Sequence, residues 1–209
     1  MNEGTPIRIL CVDDHPLMRD GLKALIDDQP GMRVVAEAVS GGDAIRSFRE
    51  HRPDVTILDV RLPDMSGIEV LIAIRKESPD ARVVMLSTFE GDVEARRALQ
   101  EGAAGYFLKT MPLEALVEAI RQVHAGKRSV PLEVADRLAQ HLDEDPLTPR
   151  EITVLQQVAA GARNREIGER LSLSEQTVKF HVKHILEKLG ATDRTQAVAL
   201  ALRRGIIHL

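Results

Sequence analysis

Ile7-Arg8-Ile9-Leu10-Cys11-Val12-Asp13-Asp14 and Val55-Thr56-Ile57-Leu58-Asp59 are the two stretches that decide the fold. Each is a short apolar run, rich in β-branched residues, that ends in acid. Such runs, alternating with helical patterns, read as strands of a parallel sheet. In an open parallel sheet, sites form beyond the carboxyl ends of the strands. If these two strands are neighbours, three carboxylates converge on one spot. Like charges at that range repel unless a cation compensates, and hard oxygen donors with room for water suit Mg²⁺. A carboxylate beside such an ion is a reasonable acceptor for a phosphoryl group.

Working outward, the strand-helix alternation recurs five times. Strands are predicted at 7–12, 33–38, 54–59, 82–87 and 104–108, and helices at 16–28, 42–51, 66–77, 91–101 and 112–125. Five such units with short loops require helices on both faces and right-handed crossovers. The expected class is α/β, a flavodoxin-like five-stranded parallel sheet of order 2-1-3-4-5, which sets strands 1 and 3 side by side. Pro16 and Pro112 stand where first-turn prolines belong, and Gly31, Gly102 and Gly126 follow helical stretches. Ser87 closes the fourth strand and Lys109 the fifth, on the edge that carries the aspartates. A hydroxyl, an ammonium and Mg²⁺ together can neutralise the oxygens of a transferred phosphoryl group. Taken singly, a helix cap, a turn residue or a surface cation would explain each of these residues. Five of them at the ends of strands 1, 3, 4 and 5 point to one site.

Residues 126–146 form a linker with one short amphipathic helix from Pro131 to Leu142. From 147 onward no strand is predicted, so a small all-α domain follows the sheet. Thr148-Pro149-Arg150-Glu151 combines an N-cap, a first-turn proline and an N3 glutamate. Helices are expected from there to Ala160, over 164–171, over 174–189 behind Ser174, and over 194–204 behind Asp193. Only Ser172-Leu173 joins the second to the third, the signature of a helix-turn-helix. Val178, Val182, Ile185, Leu186 and Leu189 make an inward stripe on the third helix, while Lys179, Phe180 and Lys183 fall on another face. His181 and His184 are spaced i,i+3, but two ligands without a third make a poor zinc site. On the last helix Ala197, Val198, Leu200 and Ala201 form an apolar surface, for a second copy or for the domain's own core.

Charge divides with the domains. Of 28 Lys+Arg and 32 Asp+Glu in 209 residues, ten basic and six acidic residues fall in 147–209. That segment carries +4 and residues 1–146 carry −8, so the two halves suit different partners. An apolar fraction of 44% beside 29% charged residues argues against disorder. No run approaches the roughly 18 apolar residues of a membrane helix, and no basic, apolar leader opens the chain. The single cysteine, Cys11, is expected in a buried strand as a small core residue. A cytoplasmic protein without a membrane partner is expected.

Residues 5–125 resemble the receiver domain of two-component response regulators, on CVDDH, ILDVRLPDMSG, VVMLSTFE and AAGYFLKT. Residues 147–209 resemble the LuxR-type helix-turn-helix, on LTPREITVLQQVAAG, RNREIGERLSLSEQTVKFHVKHILEKLG and RTQAVALA. Together they are similar to the NarL/FixJ class, with a receiver over 1–125 and a DNA-binding domain over 147–209. The resemblance implies that Asp59 is the phosphoacceptor for a sensor histidine kinase. It implies that Asp14, Asp59 and the carbonyl of Arg61 ligate Mg²⁺, with Asp13 acting mainly through water. Ser87 and Lys109 would bind phosphoryl oxygens, Tyr106 would reorient with Ser87, and Pro63 and Gly67 would shape the loop. In the second domain it implies base contacts for Lys179, Phe180 and Lys183, and phosphate contacts for Thr177, Arg165 and Arg194. A homodimer on a two-fold-related site of double-stranded DNA would follow, controlling transcription rather than catalysing turnover. A phosphatase of the haloacid-dehalogenase type would want a second aspartate two residues after Asp59, and position 61 is arginine. A signalling module whose output is protein binding is the other alternative.

Overall fold

The computed structural model describes residues 5–88, 91–140 and 145–207. The chain divides into two compact units, residues 1–88 with 95–135, and residues 89–94 with 136–209.

In the first unit the strands are β1 (Ile7–Val12), β2 (Met32–Ala38), β3 (Val55–Asp59), β4 (Val83–Ser87) and β5 (Gly105–Leu108). They pair in the order β2-β1-β3-β4-β5, all parallel. The register sets Val12 opposite Leu58 and Ser87 opposite Leu108. The acidic residues that follow β1 and end β3 therefore stand side by side. Between the strands run α1 (Pro16–Asp27), α2 (Gly41–His51), α3 (Gly67–Glu77) and α4 (Asp92–Gln100), and α5 (Leu113–His124) follows β5. Ile9, Cys11 and Ile57 share a cluster with Leu22 and Ile26 of α1 and Leu116 and Ile120 of α5. Leu10, Val12 and Leu58, of the opposite parity, are equally buried. Both faces of β1 and β3 are thus covered, which explains why these strands read as continuous apolar runs. Each such side chain contributes about 1.5–3 kcal/mol on leaving water. Burial pushes the Cys11 thiol up to about 12, so it is an inert core residue.

Two details differ from expectation. Pro112 is the residue before α5, at its N-cap position, rather than inside the first turn. Its fixed φ serves there because α5 has no side-chain cap to set its entry. The linker also begins as part of the sheet. Ser129 bridges to Gly105 in parallel, donating its N–H to the Ala104 carbonyl at 2.9 Å and accepting from the Tyr106 N–H at 3.3 Å. Backbone hydrogen bonding satisfies the outer edge of β5 here, and residue pattern alone carries no signal for it. The linker helix, α6 (Leu132–Gln140), follows, and the predicted extension past 140 enters positions outside the described residues.

The second unit contains α7 (Pro149–Ala159), α8 (Asn164–Leu171), α9 (Glu175–Leu189) and α10 (Arg194–Arg203). Thr148 and Glu151 form the reciprocal capping box that the sequence predicts. Ser174 accepts from the Thr177 N–H, and Asp193 from those of Thr195 and Gln196. The turn between α8 and α9 is tight because Gly168 lets it close. A Cβ there would lie 2.7 Å from the Leu173 carbonyl oxygen. Val154, Leu155, Ile167, Val178, Ile185, Ala197 and Ala201 are the buried core, and Val182, Leu186, Leu189 and Val198 pack against it. The α9 stripe is inward as expected. The apolar surface of α10 is largely spent on the same core, with Ala197 and Ala201 fully buried.

Candidate phosphoryl-transfer site and nucleic-acid interface

The parallel register brings Asp13, Asp14, Asp59, Ser87 and Lys109 to one edge of the sheet. Asp59 is 3% exposed, and Asp13 is completely buried. Lys109, 6% exposed in its side chain, sets Nζ between them, 2.6 Å from Asp13 Oδ2 and 2.6 Å from Asp59 Oδ2. Its backbone N–H reaches the Ser87 carbonyl at 2.7 Å, which ties the ends of β4 and β5 together. The Arg61 N–H donates to Asp59 Oδ1 at 3.1 Å. The loop after Asp59 can pass this close only because residue 67 is glycine. A Cβ at Gly67 would sit 2.0 Å from the Asp59 carbonyl oxygen, and its N–H donates to the Val60 carbonyl at 2.8 Å. The sequence reading of Gly67 as a loop-shaping residue acquires its steric reason here.

Electrostatics make the pocket short of positive charge. Burial pushes the Asp59 carboxyl above its ordinary range, and Asp13 adds to this. The Lys109 ammonium and the Arg61 N–H offset only part. Burial would pull the Lys109 ammonium down, but the ion pairs with Asp13 and Asp59 outweigh it and leave its pKa raised. Asp14 Oδ1 is buried and accepts no hydrogen bond. Three carboxylates face one ammonium, and a carboxylate oxygen from each of Asp13, Asp14 and Asp59 lies within 4.8 Å of the others, together with a ring nitrogen of His15. Hard anionic donors, one of them with a buried oxygen that accepts no hydrogen bond, fit a divalent cation such as Mg²⁺. Tyr106 lies in β5 opposite Met85, two residues before the opposite number of Ser87, and is 1% exposed. Its ring is therefore turned into the protein. Ser87 is buried as well.

Beside the pocket, His15, Leu17, Met18, Gly21, Thr88, Lys109 and Leu113 line an open, mostly apolar groove. Leu17 is 86% exposed. The sequence carries no signal for this groove, because Leu17 falls on a helix whose periodicity accounts for its other apolar residues.

In the second unit, α9 presents Lys179, Phe180 and Lys183 outward. Phe180 is 55% exposed, and its ring packs against His184 with centroids 4.0 Å apart. Phe180 is therefore no part of the domain core. Lys179 pairs with Glu175 at 2.9 Å, Lys183 with Glu187 at 3.6 Å, and Arg165 with Glu169 at 3.0 Å. Exposed i,i+4 pairs of this kind hold at most about 1 kcal/mol, so these cations exchange partners easily. Thr177 is more constrained, its hydroxyl 2.7 Å from Ser174 Oγ at the helix start. Arg194 donates through Nη2 to the Ala162 carbonyl at 2.8 Å, which gives it a structural task that the sequence did not reveal.

Comparison with known proteins decides the family. The model of the response regulator receiver domain matches residues 9–121, and that of the bacterial regulatory proteins of the luxR family matches 145–201. The chain belongs to the response regulators. The transcriptional regulatory protein YxjL of Bacillus subtilis is 40% identical over 213 residues, covering 97% of this chain and 98% of its own. The nitrate/nitrite response regulator protein NarL of Escherichia coli is 37% identical over 206 residues, covering 94% of this chain and 95% of its own. Among solved structures, the response regulator ChrA of a haem-sensing two-component system is 34% identical, with a TM-score of 0.59, covering 98% of this chain and all of that one. This response regulator thus pairs a receiver with a LuxR-type helix-turn-helix, as the two sets of motifs imply. Among the described residues no helix is long and apolar enough to cross a membrane.

Proposed function

We propose that this response regulator takes a phosphoryl group on Asp59 from a sensor histidine kinase and, as a dimer, binds a two-fold-related site on double-stranded DNA to regulate transcription in the cytoplasm. The observation that carries the reading is Asp59 itself, buried at the end of β3 with Lys109 Nζ 2.6 Å from Oδ2. In the transfer, the phosphorus–nitrogen bond of a phosphohistidine breaks as a phosphorus–oxygen bond to the Asp59 carboxylate forms, and the imidazole departs with the electron pair. Lys109 would hold one phosphoryl oxygen, and the Ser87 hydroxyl another. Asp14, Asp59 and the carbonyl of Arg61 would hold Mg²⁺, with Asp13 acting mainly through water. When bound, the ion supplies neutralisation of the phosphoryl charge. The apolar groove at Leu17, Met18 and Leu113 opens beside this pocket and suits a protein donor, which must reach a carboxylate that is otherwise enclosed.

Phosphorylation adds about −1.5 to −2 charges. It would draw on Lys109 and Ser87, and Tyr106, buried two positions along β5 from the end of the sheet, would reorient with them. That is a two-state element biased by local charge. The receiver is taken as residues 1–125, the linker as 126–146, and the DNA-binding domain as 147–209, which acts by binding rather than by turnover. Lys179, Phe180 and Lys183 would face bases from α9 in the major groove, with Thr177, Arg165 and Arg194 nearer the phosphates. Incubation with a small phosphodonor and Mg²⁺ should add one phosphoryl group, detected by mass, and increase the retardation of selected genomic fragments in a gel. A phosphoryl group found on another residue, or retardation indifferent to it, would overturn the reading.

A further inference from the structure

His15 has no part in the reading above, yet its ring faces the pocket. Nδ1 lies 2.8 Å from Asp14 Oδ1 and 3.2 Å from Asp13 Oδ1. Its place is fixed by the main chain. The His15 N–H donates to Asp13 Oδ1 at 2.9 Å, its carbonyl accepts from the Arg19 N–H at 3.1 Å, and Pro16 follows at the start of α1. The side chain caps nothing, although the residue occupies the N-cap position of α1, and it is 69% exposed. One donor atom from each of Asp13, Asp14, His15 and Asp59 lies within 4.8 Å of all the others. Donors bound at about 2.0–2.2 Å to a shared ion stand up to roughly 4.4 Å apart, so a small inward movement closes the set. The buried Asp14 Oδ1 that accepts no hydrogen bond is on the side His15 faces.

We propose that His15 makes this pocket a mixed oxygen and nitrogen site that favours first-row transition cations such as Co²⁺ and Ni²⁺ over Mg²⁺. The inference rests on the reading that the aspartates hold a divalent cation, and adds a ligand to it. Carboxylate, carbonyl and water satisfy Mg²⁺, which gains little from imidazole, whereas imidazole binds Co²⁺ and Ni²⁺ well. An exposed ring costs little to reorient. It leaves the remaining positions of the ion open to water, so nothing in the set forces Mg²⁺ out. The preference is one of affinity, and the two kinds of ion compete for one place. The alternative role for the ring is a donor to Asp13 and Asp14 that merely positions them, in which case every cation loses equally when it is removed.

Calorimetric titration of metal-free, full-length protein with Mg²⁺ and with Co²⁺ separates these. His15→Ala should weaken Co²⁺ binding by roughly tenfold or more and change the visible absorption of the Co²⁺ complex. Mg²⁺ binding should stay within about twofold of the parent. Equal weakening of both ions, or Co²⁺ binding and spectrum that do not change, would overturn the assignment of His15. Asp14→Asn and Asp59→Asn serve as reporters of the pocket itself. If Mg²⁺ still binds at full strength in both, the cation sits elsewhere and the reading under Proposed function falls too. If both abolish Mg²⁺ binding while His15→Ala is unselective, only the inference about His15 fails.

Discussion

At Asp59 several forces meet on one carboxyl group. Burial and Asp13 raise its pKa, and Lys109 recovers only part of the difference. A carboxyl whose folded pKa lies above its unfolded value withdraws stability once pH rises from the unfolded value through the folded one. In the absence of metal, ionised Asp59 is therefore a net cost at neutral pH, whatever its short ion pair suggests. Asp59→Asn should abolish labelling by a small phosphodonor, because the amide lacks the nucleophilic oxygen charge, and should raise the metal-free melting temperature. Scanning calorimetry with and without Mg²⁺ tests this, and the stabilisation by Mg²⁺ should shrink in the variant. A lower melting temperature would mean that the Lys109 pair outweighs desolvation. Phe180 is the other residue with a sharp outcome. More than half exposed, it holds no core together, so Phe180→Ala should leave thermal stability unchanged. Specific DNA binding should weaken by roughly 1–3 kcal/mol, the cost of an apolar contact with a thymine methyl, while non-specific binding stays as it was. Tighter DNA binding by the unphosphorylated variant would indicate that Phe180 is masked rather than reading bases.

At the scale of the element, the start of α7 is the most densely constrained point of the second unit. Glu151 accepts from the Thr148 N–H at 2.8 Å and from Lys188 of α9 at 3.0 Å, so one carboxylate closes a cap and joins two helices. Burial would raise the Glu151 pKa, but the Thr148 N–H, Lys188 and the Thr148 hydroxyl outweigh it and hold the pKa below the ordinary glutamate range. For a lowered carboxyl, the stability is present above the unfolded pKa and is lost as pH falls through the folded one. Glu151→Ala should cost about 1–3 kcal/mol at neutral pH, from the lost cap and the lost hydrogen bond to Lys188, which keeps Asp145 and the Pro146 carbonyl as partners. Urea denaturation followed by circular dichroism measures it. The gap between variant and parent should close as pH drops through the lowered value, and a gap that persists in acid would assign the effect to packing.

For the whole molecule, the division of charge is a division of labour. Residues 147–209 carry +4 and residues 1–146 carry −8. The isolated segment 147–209 should bind DNA with an affinity that falls steeply with salt, as counterions are released by each phosphate contact. The isolated segment 1–125 should not be retained. Electrophoretic retardation across a salt series checks both, and equal retention of the two fragments would contradict the assignment. Lys179→Ala and Lys183→Ala should each flatten the salt dependence, with a log–log slope smaller by about one.

Much of this was legible in the chain because the information is local. Alternating apolar runs placed all five strands within a residue of their observed bounds, and a proline, a capping box and Ser174 marked the helix starts. Even the site could be anticipated, since a parallel sheet of this order must set the ends of β1 and β3 together. What the sequence could not supply was anything that depends on atoms meeting across the fold. Lys109 was legible as a cation at a strand end, but its place between Asp13 and Asp59, and the resulting charge balance, come from packing. So does the edge pairing of Ser129 with β5, the anchoring of Arg194 on Ala162, and the burial of Ala197 and Ala201 that leaves α10 little free apolar surface. Periodicity reports which face of an element is apolar. Only tertiary structure decides what that face meets, because the partner lies far along the chain and short-range pattern carries no record of it.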